Sequence, residues 1–258
     1  MNSKESRKLI KKLLTEIFDA IKGYNGGLVY CFKGGFVLEN YLSQKGARET
    51  TDVDLSIGTI TDFYIIVDIV SKILDKWKEA GIIYSYKVKP PVEGVSSGKI
   101  DVYRKVSNNS KAFIWSGLDI SIHDMKFGII KVKDFKCYSI ERMLMDKIAV
   151  MYAPESVLFR RSRDMYDIYL LNRLDYTLNS AIIDLSIKDR KIDILKESTF
   201  EKLLMSEEGK ERLLQWVNNV LESERTNSEW VLKNNVTNSD IIKSVEYTLW
   251  MLRRGLFN

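Results

Sequence analysis

The chain has 258 residues, 45% of them hydrophobic, and its 40 Lys and Arg outnumber its 35 Asp and Glu to give a formal charge of +5. Such a length allows one large domain or two small ones, and such an apolar fraction belongs to a folded chain. The longest uncharged stretch runs only from Gly23 to Phe32, far short of the ~20 apolar residues of a membrane span, and the charged N-terminus has no apolar signal core, so the expectation is a cytoplasmic protein without a membrane partner.

In chain order, Leu9, Leu13, Ile17 and Ile21 recur every four residues and predict a first helix ending near Gly23. The run Gly27–Phe32 reads as a buried strand. A Lys33-Gly34-Gly35 turn then leads into a short helix with Val37, Leu38, Tyr41 and Leu42 as its apolar side, followed by the polar loop SQKGARETT. Val53, Leu55 and Ile57 alternate with Asp52, Asp54 and Ser56, the signature of a half-buried strand. A helix is expected from Asp62 to Ala80. Four strand candidates follow, IIYSYKV, GKIDVYRKV, AFIWSGLDISI and GIIKVKDF, with an SNNS turn between the second and third. From Ser139 on the pattern is helical, the clearest segments being SIERMLMDKIAVMYA, RDMYDIYLLNRL, KERLLQWVNNVLES and SDIIKSVEYTLWMLRRG. The prediction is a mixed α/β region over 1–135 and an all-α region over 136–258.

Several chemistries are excluded by what is missing. One histidine, His123, rules out an HExxH zinc site, and without GxSxG it has no visible partners for a serine triad. Gly98-Lys99 is followed by Ile100, so there is no P-loop. Cys31 and Cys137 are too few for a disulfide framework or a zinc site and suit a reducing compartment. Carboxylates and lysines are left to carry any catalysis.

Asp52 and Asp54, two apart in a strand, point to one face about 7 Å apart. Paired there they repel each other, and a divalent cation removes that cost; two such ions form the usual phosphoryl-transfer centre. The alternative is a solvated strand edge. Upstream, Gly34 and Gly35 leave room for a phosphate to approach the start of a helix, where N–H groups are free, or else they simply satisfy a turn that needs positive φ. A third carboxylate is expected on a neighbouring strand. Asp119 leaves the apolar face of its strand as the first pair does, and Asp101 has the same local pattern. Lys147 falls inside the apolar stripe of Ile140, Met143, Leu144 and Met151. Burying an ammonium there needs an anion, either a substrate phosphate or Asp164 on the next helix, which Ser162 is placed to cap. Arg160, Arg161 and Arg163 lie beside Asp164 and are candidates for phosphate contact.

Together, KGGFVLENYL, ARETTDVDLSI, SGLDISIHD and IERMLMDKIAVMYA followed by RRSRDMYDIYLL resemble the AbiEii/AbiGii-type nucleotidyltransferase toxins of the polymerase-β-like superfamily, over roughly residues 30 to 172. The resemblance implies an α+β fold, a polymerase-β-like core with a mixed sheet, and a helical domain completing the nucleotide and acceptor cleft. It implies that Asp52, Asp54 and Asp119 hold Mg²⁺ (or Mn²⁺), that Lys147 and Asp164 stand at the family's later motif positions, and that Lys33, Gly34, Gly35, Lys147 and Arg163 meet an NTP. The activity it implies is transfer of a nucleotide to RNA, at the tRNA 3′ end in some members, by a toxin with a cognate antitoxin. One departure stands out: after Gly34-Gly35, where the superfamily often has Ser or Thr, this chain has Phe36. Transfer to a small molecule or a protein, and a non-catalytic binding module, are the competing expectations.

Overall fold

The computed structural model describes residues 3–41, 50–92, 96–105, 110–123, 125–132, 135–174, 176–227, 231 and 233–256. The SQKGARETT loop, apart from Thr50 and Thr51, and the SNNS turn, apart from Ser110, lie outside the described residues. The chain divides into a first unit of residues 1–38 and 49–138 and a second of 39–48 and 139–258.

The first unit is built on one sheet. In chain order its elements are α1 (Ser3–Lys22), β1 (Tyr30–Lys33), α2 (from Gly34, running to Tyr41), β2 (Asp52–Ile57), α3 (Ile60–Glu79), β3 (Ser85–Lys89), β4 (Ser97–Arg104), β5 (Phe113–Ile122), β6 (Ile129–Val132) and β7 (Phe135–Tyr138). The strands lie in the order β3-β4-β5-β2-β1-β7-β6. The β2–β5 and β1–β7 pairs are parallel and the others antiparallel, so the sheet is mixed.

Period-two alternation assigns the faces. Val53, Leu55, Ile57, Ile100, Val102 and Leu118 are fully buried, while Asp52, Asp54 and Asp119 leave the apolar side. The stripe predicted for α1 and the buried side of α3 are the core that covers it: Leu13, Ile17 and Ile21 with Phe63, Ile66, Val70 and Leu74, each large apolar side chain contributing about 1.5–3 kcal/mol by burial. The Trp77 Nε1–H donates to Glu16 at 2.8 Å and fastens α3 to α1. Helix α3 starts two residues earlier than the periodicity suggested because Thr59 and Asp62 form a reciprocal capping box. β7 was not legible: four residues, FKCY, run straight into the next helix, and only pairing with β1 and β6 makes them a strand.

The second unit is helical: α4 (Ile140–Met151), α5 (Glu155–Arg160), α6 (Arg163–Leu171), α7 (Ser180–Arg190), α8 (Thr199–Leu204), α9 (Glu207–Asn227) and α10 (Asn238–Arg254). Every residue of α6 from Asp164 to Leu171 is buried, and α4, α9 and α10 pack against it. Ser139 caps α4 by accepting from the Arg142 N–H. Ser162, by contrast, does not cap α6: its backbone is already helical and its hydroxyl makes no cap bond. Helices α5, α7 and α8 escape sequence reading. Two are six residues long, and α7 buries only Ile183 and Ser186, so no apolar stripe forms. No helix among the described residues is long and apolar enough to cross a membrane.

Candidate active site

Strand register brings three carboxylates onto one face of the first unit's sheet. In the parallel β2–β5 pair Asp54 lies opposite Asp119, and Asp52 lies opposite Gly117. Neighbouring strands are about 4.8 Å apart and same-face residues about 7 Å apart along a strand, so the three acids occupy three corners of a small patch. Gly117 is the fourth corner, and a Cβ there would sit 3.4 Å from Asp52 Oδ1 and 3.3 Å from the Ile100 carbonyl. A larger residue would crowd the Asp52 carboxylate.

Burial and a neighbouring like charge both raise the proton affinity of a carboxylate. The Asp52 carboxyl is pushed above its ordinary value, first by burial and next by repulsion from Asp119, against the pull of Lys99. Lys99 lies opposite Asp119 on β4, with Nζ 3.3 Å from Asp119 and 3.7 Å from Asp101. Burial alone would lower Lys99, but Asp119, Asp101 and Asp52 outweigh it and hold the ammonium above its usual value.

Asp101 stands one strand farther from β2, opposite Gly117 on β4. It is fully buried and paired with Lys89 and Lys99, whereas the Asp119 side chain is 47% exposed. Of the two acids weighed for the third position, Asp119 is the one that faces Asp54 across a shared strand pair.

On the other flank of β2, Lys33 lies opposite Asp54. Its ammonium donates to Ser121 Oγ at 3.0 Å and sits 5.9 Å from the centre of the Tyr138 ring. The chain passes from β1 directly into α2 at Gly34, whose φ is +67° and whose absent Cβ would overlap the Asp54 carboxyl group. Glycine is required there twice, for the backbone conformation and for the contact. Gly35 is the next helical residue. Phe36, in place of a hydroxyl residue, turns its ring toward Phe18 at 5.1 Å and Phe32 at 6.2 Å, and Phe135 joins the same cluster through Phe18 and Phe32. It anchors α2 by packing.

Among the described residues no three His, Cys, Asp or Glu side chains are grouped closely enough to hold a metal ion by themselves. The donor set nevertheless fits Mg²⁺, which typically takes one or two carboxylates and completes its octahedron with water and substrate phosphates rather than an all-protein cage. Adjacent Asp52, Asp54 and Asp119, with Asp52 burdened by burial and by repulsion from Asp119, supply oxygen ligands of the right kind. A cavity of about 490 Å³ at the opposite end of β2 is lined by Val29, Gly58, Ile122, His123 and Met125, which places the single histidine beyond the far end of these strands.

In the helical unit the buried Lys147 bridges two acids, Asp164 at 3.1 Å and Asp167 at 2.6 Å. Arg161 holds the other oxygen of Asp164 at 2.8 Å. Asp164 was legible as a partner. Asp167 was missed, although it stands one helical turn later, where an i+3 residue shares the face. Arg163 is exposed at the start of α6.

No curated protein matches the sequence. Among solved structures, the chain is similar to a Helicobacter pylori protein provisionally assigned as a nucleotidyltransferase, at 16% identity and a TM-score of 0.58, covering 99% of this chain and 97% of that one. It is likewise similar to JHP933 from Helicobacter pylori, at 15% identity and a TM-score of 0.57, covering 98% and 94%. At such identities the likeness is one of fold. The family model of the nucleotidyl transferase AbiEii toxin, type IV toxin–antitoxin system, matches residues 25–234, a span that includes Asp52, Asp54, Asp101, Asp119, Asp164 and Asp167, and the chain therefore belongs to the AbiEii nucleotidyltransferase toxin family.

Proposed function

We propose that this chain transfers a nucleotide from an NTP to an RNA acceptor, the 3′ end of tRNA foremost, with Mg²⁺ or Mn²⁺ as cofactor and pyrophosphate as the second product. The observation that carries the reading is the register of β2 and β5, with Asp54 opposite Asp119 and Asp52 on the same face, beside a helix start kept open by Gly34. Asp52, Asp54 and Asp119 are the metal ligands; the ions, when bound, neutralise charge on the entering and leaving oxygens. The first N–H groups of α2, with Lys33 beside them, receive the triphosphate. Asp119 takes the proton of the acceptor hydroxyl, since the one histidine lies at the far end of the sheet. A new P–O bond forms at the α-phosphate, the α–β bridge breaks, and pyrophosphate leaves.

The family resemblance points to Lys147, Asp164 and Arg163 on the nucleotide side; of these the exposed Arg163 is proposed there, whereas Lys147 and Asp164, closed on each other and on Asp167, are proposed to hold α4 to α6, and an antitoxin is the protein partner that the family implies. The test is incubation of the purified chain with α-labelled NTPs, divalent metal and total RNA. Label in tRNA supports the reading. Label confined to protein or to a small hydroxylated acceptor overturns the RNA acceptor, and metal-independent labelling overturns the role of the carboxylates.

A further inference from the structure

The row of side chains that contains Asp54 and Asp119 continues outward. Register pairs Asp119 with Lys99 on β4 and Lys99 with Lys89 on β3. One face of the sheet therefore reads Lys33, Asp54, Asp119, Lys99, Lys89 across five adjacent strands. In the next row Asp101 pairs with Lys87 on the edge strand. The carboxylates are thus flanked from opposite directions, by the β1–α2 start on one side and by a lysine-bearing edge on the other.

A cavity of about 280 Å³ opens on that second flank, lined by Lys89, Pro90, Ser97, Lys99, Asp119 and Ser121 among others. That is near the lower limit of small-ligand pockets and suits one nucleotide unit. Its charge is unbalanced. Asp101, fully buried, is the common anchor of Lys89 and Lys99, so one carboxylate serves two ammonium groups. Lys87 adds a third, exposed cation on the same face. The remaining anion, Asp119, belongs to the catalytic set. Once it serves there, the cavity carries a net positive charge beside the residue that accepts the acceptor's proton.

We propose that this cavity is the acceptor subsite. Lys89 and Lys99, positioned by Asp101, bind the phosphodiester next to the terminal ribose of the acceptor RNA, and Lys87 meets the following phosphate. The attacking hydroxyl is thereby held at Asp119. The inference rests on the RNA-acceptor reading above but fails separately from it.

The test compares the full-length chain with Lys89→Gln, Lys89→Gln/Lys99→Gln and Lys89→Arg. The readouts are binding of a labelled single-stranded oligoribonucleotide at several salt concentrations, NTP binding, and transfer to total RNA. Lys89 is exposed on an edge strand, so Lys89→Gln reports even where the double variant fails to fold. The expected result is RNA binding weakened at least ~10-fold in the double variant, a salt dependence shallower by about 0.7 in slope per lost phosphate contact, NTP affinity within twofold of wild type, and recovery in Lys89→Arg. A wild type that labels RNA while Lys89→Gln and the double variant bind it unchanged overturns the subsite and leaves the RNA reading standing. Weakened NTP binding instead assigns the lysines to the triphosphate and also overturns the proposal. A wild type that neither binds nor labels RNA overturns both.

Discussion

The two units treat their buried and half-buried charges in opposite ways. On the sheet, Asp52, Asp54 and Asp119 are like charges gathered on one face, and burial together with repulsion from Asp119 raises the proton affinity of Asp52. In the helical unit, Lys147, Asp164, Asp167 and Arg161 are unlike charges closed on one another at 2.6–3.1 Å. The second arrangement is satisfied from within and ties α4 to α6. In the first, like charges stay adjacent even though Lys99 pairs with Asp119, and an arrangement that costs stability until a cation arrives is what a site for a charged ligand looks like.

The sharpest way to break this comparison is to delete one charged side chain from each unit's set. Asp54→Ala is expected to reduce nucleotide transfer below detection, at least ~10³-fold given the size of metal and acid–base contributions together, while circular dichroism and melting stay close to wild type. Full activity in the folded variant sinks the two-metal reading. Asp119→Asn is expected to keep metal–nucleotide binding and lose ~10²-fold or more in transfer, as for a removed general base; single-turnover kinetics beside a nucleotide-binding titration checks it. Asp101→Asn is expected to cost far less at the chemical step, because Asp101 faces lysines and not Asp54.

In the helical unit, Lys147→Met is expected to act on stability first. With two buried acids left facing each other, the loss is expected at about 3–5 kcal/mol, seen as a clear fall in the denaturation midpoint. A variant that melts like wild type but binds nucleotide poorly would show that the cluster serves the substrate instead of the frame.

The smallest effect concerns pH. Because the folded pKa of Asp52 is raised above its unfolded value, the folded state binds the extra proton in the window above ~3.9. Stability from this group is therefore greatest at low pH and falls as pH rises through the folded pKa, leaving a penalty at neutrality. Asp52→Asn is expected to remove that penalty. Its melting temperature should rise slightly relative to wild type at pH 7, and the gap should close near pH 4. Added Mg²⁺ with NTP should raise the melting temperature of wild type and not of the variant. A lower melting temperature for Asp52→Asn at pH 7 contradicts the assignment of a buried and repelled carboxylate at this corner.

Legibility in the sequence followed the range of the interaction. Alternation told which way Asp52, Asp54 and Asp119 point, and four-residue periodicity told which side of α1 is core, because both are properties of one element. Partnership across elements was only half legible. That Asp54 faces Asp119 depends on a parallel register between strands 65 residues apart, and Lys99 enters the patch only because β4 pairs with β5. Asp101 has the same alternation as Asp119, so no local pattern could separate them; the strand order does. Phe36 was noticed as a missing hydroxyl, and the reason for it, a ring seated among Phe18 and Phe32, becomes visible only when three elements meet.

The contact between Gly34 and Asp54 has a consequence for how the chain tolerates change. Any side chain at position 34 displaces the carboxylate, and any shortening at 54 that makes room removes the carboxylate itself, so no compensating pair exists that keeps the chemistry. The two positions should behave as a single genetic locus. In a selection for survivors of an active copy, substitutions at Gly34 are expected to recur as often as those at Asp54 despite carrying no functional group, and second-site suppressors of Gly34→Ala should be missing from position 54.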